Sequence, residues 1–237
     1  MTAVVEALRG LSPAVLVHAE SGAPKASAGV LSHQGAQVVP GLGGQVTRLL
    51  SGEVRVQSLP DLTGARTFTM LAWFRGGAHS STRRLVGREN GSTWVTLEVG
   101  RDGLPATGIA STNGGWSIRV PGGRRVDDGH WHLIGVVVTR RPGPFGLDSG
   151  GVDVRLWVDD DWSRAGYIDP GLFGRAVRLE MTTPVVVGRS AAGASPLVGE
   201  AGPVAVFTRA LSASQMRGVW GVVPDQSAEF RGWGIAI

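Results

Sequence analysis

Short runs of alternating apolar and polar side chains constrain the fold of this chain more than any other feature of its sequence. In the clearest run, residues 152–159, valine and leucine side chains alternate with Asp153, Arg155, Trp157 and Asp159. A period of two places one set of side chains against a core, which is the pattern of a β-strand. Similar runs recur from Glu53 onward, for example over Thr67–Arg75, and they predict an all-β fold.

Turn residues separate these runs at regular intervals. Asn90-Gly91, Asp102-Gly103 and Asn113-Gly114 each supply the positive φ angles that tight hairpins require, so three consecutive hairpins form a meander. Residues 130–139 form a long apolar run that predicts a central strand. At 237 residues such strands can share one core, so we expect an antiparallel two-sheet sandwich of the jelly-roll kind.

The sequence predicts one short helix near the C-terminus, at residues 212–219. Ser212 and Gln215 have the spacing of a capping box, in which each side chain bonds the backbone N–H of the other. Residues 1–45 are the least regular stretch and are predicted to form an N-terminal arm or a pair of edge strands. The sandwich is expected to span residues 46–237, with residues 229–237 as its last strand.

Composition excludes several kinds of protein. The chain has no cysteine, so it has neither disulfides nor thiolate metal sites. Residues 1–16 lack the basic start and long apolar core of a signal peptide. No apolar run approaches the roughly 20 residues that a membrane-spanning helix needs, so we expect no membrane insertion.

The basic residues argue against nucleic acid as a partner. Lys25 is the one lysine, and the arginines are scattered as isolated pairs such as Arg83-Arg84, Arg124-Arg125 and Arg140-Arg141. A nucleic-acid-binding protein usually gathers its basic residues on one face with aromatic partners. The preference for arginine is instead typical of a GC-rich coding genome.

Four motifs follow one another in an order that resembles a known family. They are FTMLAWF at residues 68–74, DGHWHLIGV at 128–136, VRLWVDD at 154–160, and VVVGR at 185–189 followed by FTRALSASQM at 207–216. Between about Leu42 and Trp220 the chain is similar to the laminin-G-like, or pentraxin-like, branch of the concanavalin A-like lectin/glucanase superfamily. The resemblance implies a jelly-roll sandwich.

Departures from the family pattern limit what else the resemblance implies. Ala201-Gly202-Pro203 stands where the family has an acidic pair, and Asp160 stands where it has a glycine, which puts an inherited calcium site in doubt. Glucanases of this superfamily carry a Glu-x-Asp-x-Glu strand that holds the acid and the nucleophile about 5 Å apart. This chain has no such pattern, so we predict that it is not an enzyme and has no catalytic residues.

Two clusters suggest metal ligands, and each has a structural alternative that we favour. The candidate ligands for calcium are Asp153, Asp159, Asp160 and Asp161. Aspartate also favours turns for its own backbone bonds, so a solvated hairpin turn is the preferred interpretation. His130 and His132 have a spacing compatible with zinc, but no third ligand is evident and a core strand is preferred. We therefore expect no cofactor, with calcium as the alternative.

Two tryptophans follow turn residues and are candidates for glycan binding. Trp116 follows Asn113-Gly114-Gly115, and Trp162 follows Asp161. An indole at a loop tip can stack on a sugar ring or can anchor its own loop by packing. Both interpretations stay open, and the candidate glycan-binding residues are Asn113, Trp116, Asp161 and Trp162.

The function that we expect is that of a structural protein of a phage virion, such as a minor tail or capsid-decorating component. Virion proteins assemble in the host cytoplasm and need neither export signals nor disulfides, whereas secreted laminin-G domains often contain disulfides. Expected partners are other virion proteins or further copies of this chain, with host-surface glycans as ligands. The alternative is a stand-alone carbohydrate-binding lectin module of a bacterial cell-surface or secreted protein.

Overall fold

A computed structural model of the protein describes residues 2–57, 66–90, 93–111, 116–142, 151–169, 183–190 and 193–222. Two helices lie in this part of the chain, α1 (Ala3–Gly10) and α2 (Ala213–Trp220). The strands are β1 (Val15–Glu20), β2 (Ala23–Ala26), β3 (Val30–Gly41), β4 (Gly44–Gln57), β5 (Thr67–Arg75), β6 (Arg83–Asn90), β7 (Thr93–Val99), β8 (Pro105–Ser111), β9 (Trp116–Pro121), β10 (Trp131–Arg140), β11 (Val152–Val158), β12 (Asp161–Ile168), β13 (Val185–Val187) and β14 (Val198–Phe207).

The strands form two layers that share strand β4. The hydrogen-bonded order is β12-β11-β10-β5-β14-β4-β13-β6-β7-β8-β9, and every pairing along it is antiparallel. Residues 47–50 of β4 pair with β14, and residues 54–56 pair with β13, so β4 passes from one layer into the other. The layers then face each other, with β9 against β12 and β7 against β10. The predicted jelly-roll sandwich is confirmed.

The main core lies between the two layers and is built by the alternating side chains. Val152, Val154, Leu156 and Val158 of β11 all point into it, as their period of two predicts. The facing layer contributes Val95 and Leu97 of β7 and Ile109 of β8, among others. Burial of these branched side chains is the principal force that holds the layers together.

A second apolar cluster covers the outer face of the β5–β10–β14 layer. Both helices lie on this face, and their buried side chains, such as Leu8 of α1 and Met216 of α2, contact Leu71, Trp73 and Trp157. This is why β5 is buried on both faces between its end residues. A strand covered on both sides has no polar face, so its sequence shows a continuous apolar run.

Both helices have side-chain caps at their N-termini. The predicted capping box of Ser212 and Gln215 is present at α2, and the predicted helix is confirmed. Helix α1 was not predicted, although Thr2 caps it by accepting a hydrogen bond from the backbone N–H of Val5. No helix in the described part of the chain combines the length and apolarity needed to cross a membrane.

Residues 1–45 contribute to the sandwich in several places. Strand β1 pairs with β14, β2 pairs with β1, and β3 pairs along β4. The predicted boundary at residue 45 therefore lies just inside β4, after the turn at Leu42-Gly43. The predicted last strand, residues 229–237, lies outside the described residues.

Candidate functional site

A shallow groove crosses the outer face of the β6–β9 layer. Gly87, Thr96, Gly108 and Arg119 are partners in one register row across the four strands. Two glycines in this row leave no side chain above the sheet, and the Thr96 side chain is fully buried. The two glycines therefore leave a low strip on which the side chains of Arg84, Glu89 and Trp94 lie.

Trp94 forms one wall of the groove, and its position depends on Gly108. A Cβ atom at residue 108 would lie only 2.4 Å from Cζ3 of Trp94, so the six-membered ring of the indole lies directly over the glycine. The tryptophan is half-buried, with part of the ring open to solvent. Glycine in a strand interior commonly marks such a close approach.

Two ion-paired carboxylates and two arginines complete the groove. Arg84 contacts Glu89 through Nη1, and its Nη2 atom lies 3.7 Å from Oε2 of Glu98. Arg119 donates from Nε to Oε1 of Glu98 at 2.8 Å, and its own side chain is 49% exposed. The four charges sum to zero in a cavity of about 180 Å³.

This arrangement presents an aromatic face beside charged hydrogen-bonding groups. An indole offers a flat apolar surface, while carboxylates accept and guanidinium groups donate hydrogen bonds. A ligand that matches it has an apolar ring face and a rim of hydroxyl groups. Sequence reasoning missed the groove because Trp94 was assigned to a return strand and Glu89 and Glu98 lie nine residues apart. Gly87 and Gly108, inside predicted strands, were the available signal.

A second polar cluster lies at the start of β10, in the layer opposite the groove. The imidazole of His132 is buried, with Nδ1 2.9 Å from Oδ2 of Asp159 and Nε2 2.9 Å from Oδ1 of Asp128. Burial opposes a charge on this ring, but the hydrogen bonds to Asp159 and Asp128 outweigh burial and raise the pKa of His132 above its usual value. The cluster thus joins the start of β10 to the β11–β12 turn through an imidazole held between two carboxylates.

A sequence profile of a laminin-G family, described as the concanavalin A-like lectin/glucanases superfamily, matches residues 50–217 of the chain. The chain belongs to this superfamily. No sequence among the curated proteins matches it. The lectin/glucanase superfamily contains both binding proteins and enzymes, so membership alone assigns the fold and not an activity.

Solved structures with this superfamily's fold include several clostridial toxin domains. The binding domain of Paraclostridial Mosquitocidal Protein 1 is 15% identical, with a TM-score of 0.65 over 88% of this chain and 51% of that one. The receptor-binding domain of botulinum neurotoxin mosaic serotype C/D is 11% identical, with a TM-score of 0.65 over 89% of this chain and 50% of that one. The chain spans about half the length of these domains, and the likeness shows the fold.

The predicted site residues Asp161 and Trp162 lie at the start of β12. The indole of Trp162 meets the ring of Trp157 edge-on, with the ring centroids 5.0 Å apart, and Arg155 lies over its face at 5.9 Å. The Asp161 side chain is 71% exposed and lies 3.5 Å from Nη2 of Arg217. Each of the two residues therefore contacts a different arginine, and Trp162 is also packed from one side.

The other two predicted glycan-binding residues lie at the β8–β9 hairpin. Asn113 lies outside the described residues. Trp116 is the first residue of β9, where its backbone pairs with Ser111 of β8. The glycan-binding role of Asn113 and Trp116 stays a prediction.

The candidate calcium ligands point to different partners. Asp153 accepts two hydrogen bonds from Arg141, at 2.5 and 2.8 Å. Asp159 is fully buried, bonded to His132, to the backbone N–H of Leu133 and to Arg124. Across the described residues, no three histidine, aspartate or glutamate side chains converge on a position where a metal ion could be held.

The two histidines of the predicted strand pair occupy different environments. His132 lies in β10 and is buried, as the structural interpretation expected, whereas His130 precedes the strand and its side chain is 48% exposed. Both contact Oδ1 of Asp128, which lies 3.2 Å from Nδ1 of His130. The histidines therefore share a carboxylate, and the packing of His132 accounts for the motif.

Proposed function

We propose that this protein is a non-enzymatic, lectin-like module that binds glycans through the Trp94 groove. The observation that carries the proposal is the indole of Trp94, held over Gly108 between Glu89, Glu98 and Arg119. Sugar rings combine an apolar face with equatorial hydroxyls, which suits an aromatic platform with polar groups at its edge.

The solved structures support the same class of ligand. The binding domain of botulinum neurotoxin DC was solved in complex with SialylT, and cell entry of botulinum neurotoxin type C is dependent upon interaction with two ganglioside molecules. These statements concern domains of which this chain covers 51%. They support glycan binding as the function of the fold and leave the position of the site to be argued from this chain's residues.

The groove suits binding better than hydrolysis. A retaining or inverting glycosidase needs one carboxylic acid to protonate the leaving group and a second carboxylate on the other side of the bond. Glu89 and Glu98 both contact the guanidinium of Arg84, and Glu98 contacts Arg119 as well. Such paired carboxylates are suited to accepting hydrogen bonds from hydroxyl groups rather than to donating a proton.

Glycan-array binding of the purified protein tests the proposal. Trp94→Ala should abolish the wild type's binding of neutral glycans, while Trp220→Ala, which removes a half-buried tryptophan at the end of helix α2, should retain it. Near-UV circular dichroism of both variants establishes that each is folded. Full binding by Trp94→Ala, or no binding by the wild type to any glycan, would show that the groove is not a glycan site.

We propose that this module is a structural component of a phage virion, either a minor tail protein or a capsid-decorating protein. Strand β3 supports assembly with other chains because its twelve residues include no lysine, arginine, aspartate or glutamate, and it pairs, among the described strands, along β4 alone. In proteins that stay monomeric, edge strands usually carry lysine or other charged residues, which prevent pairing with a second chain. An edge strand without such residues therefore favours pairing with another chain. A bacterial cell-surface or secreted lectin is the alternative setting.

The edge strand also provides the test of the assembly role. Ser32→Lys together with Gln34→Lys adds charge to the exposed edge of β3 without removing buried residues. If the chain is a virion component, these changes should block its incorporation into particles while the protein stays folded. The control places the same charges at Ala78 and Ser80, exposed residues between β5 and β6, and normal incorporation of the β3 variant would count against assembly through this edge.

A further inference from the structure

The outer face of the β11–β12 hairpin carries aromatic and arginine side chains that the groove does not use. Three register pairs lie on this face, Asp153 with Tyr167, Arg155 with Ala165, and Trp157 with Trp162. The alternate residues of β11 point into the core, so these side chains face outward. We call the surface formed by Arg155, Trp162, Ala165 and Tyr167 the Arg155 shelf.

Helix α2 covers one end of this face and leaves the shelf open. Met216 of α2 lies over Gly135, the register partner of Trp157, and Arg217 lies over the Trp157 ring at 5.9 Å. Beyond the helix, Arg155 and Ala165 are exposed, and the side chain of Tyr167 is one of the large apolar groups open to solvent, at 45% exposure. The face beyond the helix therefore carries one exposed and one half-buried aromatic side chain.

Arg155 is the cation of the shelf that lacks a carboxylate. Arg141, over the Tyr167 ring at 4.8 Å, is paired with Asp153, and Arg217 is paired with Asp161. Within the described part of the chain, Arg155 contacts the ring of Trp162 and no acidic side chain is paired with it. The shelf therefore offers one uncompensated guanidinium, which is suited to bidentate pairing with a carboxylate.

The spacing of the rings fits a chain of sugar units. Four residues of β11 separate the partners of Trp162 and Tyr167, about 13 Å at ~3.3 Å per residue, and Arg155 lies midway. We propose that the shelf binds an acidic glycan, with the carboxylate of a uronic or sialic acid on Arg155 and flanking sugar rings against Trp162 and Tyr167.

A glycan fits the shelf better than an acidic peptide. Extended peptides gain most of their affinity by adding a strand to a free sheet edge. The shelf lies on a sheet face and not at an edge, and β9 packs beside the outer edge of β12, where Ser163 accepts a hydrogen bond from the backbone N–H of Gly123. What remains is an outward face with a half-buried indole, an exposed phenol ring beneath Arg141, and the Arg155 cation, and it offers side chains and not free backbone groups.

The shelf and the Trp94 groove lie on opposite outer faces of the sandwich. The groove has a net charge of zero from two arginines and two glutamates, whereas the shelf has one unpaired positive charge. The two sites should therefore differ in ligand class and in salt dependence. Failure of the groove proposal does not affect the shelf, and the variants of each site separate them.

Titration calorimetry with four oligosaccharides tests the shelf. The probes are trigalacturonic acid with its carboxyl-reduced counterpart, and 3′-sialyllactose with lactose. We expect the wild type to bind at least one acid, and its affinity should be at least tenfold lower for the matching neutral sugar. Arg155→Gln should weaken binding of that acid about tenfold, with Arg155→Lys between the two, and added salt should weaken the wild type most.

Two controls and one competitor complete the design. Arg164→Gln removes an exposed arginine of β12, at the register position opposite the core residue Leu156. This variant and Trp94→Ala should both bind the acid like the wild type. The proposal is wrong if no acid binds, if the neutral sugars bind equally well, or if Arg155→Gln has no effect. Tighter binding of an oligoglutamate peptide, lost in Arg155→Gln, would assign the shelf to an acidic protein partner instead.

Discussion

Nδ1 of His132 lies 2.9 Å from Oδ2 of Asp159, and both side chains are buried beneath the β11–β12 turn. Asp159 adopts a φ of +60° there, and its other carboxylate oxygen accepts from the backbone N–H of Leu133. The aspartate thus ties the turn to the start of β10 through side chain and backbone together. This pair links the predicted VRLWVDD and DGHWHLIGV motifs, and it gives the fold a dependence on pH.

The stability of the protein should fall as pH rises through the pKa of His132. Because that pKa is raised in the folded state, the stabilising charge is fully present below pH 6.5 and is lost above the folded value. Urea unfolding measured across pH 5–9 should show this fall, and His132→Asn should remove it and cost about 3 kcal/mol at low pH. His33→Asn, on the exposed edge strand, is the control that should keep the wild-type profile.

A second pH effect should appear in acid. Burial acts to raise the pKa of Asp128, but hydrogen bonds from His132 and the His130 backbone outweigh it and lower the pKa to about 2 from 3.8. Its contribution to stability is therefore present above pH 3.8 and is lost as pH falls towards 2. Asp128→Asn should flatten the acid limb of the unfolding profile, and an unchanged limb would contradict the assignment.

Gly108→Ala should impair the groove while leaving the sandwich intact. The added methyl would lie 2.4 Å from Cζ3 of Trp94, so the indole must move away from its position over the sheet. We expect loss of glycan binding with a loss of stability of about 1–2 kcal/mol, typical of overpacking. Gly77→Ala, which meets nothing within 4 Å, is the matched control for both measurements.

Leu8→Ala tests whether the N-terminal residues belong to the folded unit. Leu8 lies on the buried face of α1, is a member of the second apolar cluster and is fully buried. Its truncation to alanine should therefore lower the free energy of unfolding by about 2–4 kcal/mol. Val30→Ala, at a side chain that is 63% exposed, should change it by less than about 0.5 kcal/mol. Equal stabilities of the two variants would mean that residues 1–45 act as a detached arm.

Calcium should not stabilise the protein through its aspartates. Asp153 and Asp159 already accept hydrogen bonds from arginine, histidine and backbone groups, which leaves few oxygens for an ion that takes about six to eight. Thermal unfolding with calcium and with chelator should give the same Tm. Asp159→Asn should lower Tm in both conditions, whereas Asp160→Asn should not, and a calcium-dependent Tm would restore the metal site.

The strand pattern and the one predicted helix depend on interactions close in sequence, and both were recognisable there. The alternation of Val152–Val158 assigns the inward face of β11, and the Ser212–Gln215 capping box locates the start of α2. Hairpin turns specify antiparallel neighbours because the pairing partner follows within a few residues. The motifs and their order then indicated the jelly-roll family, so the fold was predictable from the sequence.

Only the tertiary structure decided on which surface each tryptophan lies and which charged side chains pair with each other. Trp94 forms a groove wall because β8 places Gly108 beside it. Arg155 has no carboxylate partner among the described residues because Asp153 is bonded to Arg141. Helix α1 was not predicted because a helix of eight residues is stabilised mainly by tertiary packing and not by its local sequence. Here the packing is that of Leu8 and its neighbours on the sheet. Local sequence determines strands and turns, whereas sites form from residues distant in sequence that the sheet register brings together.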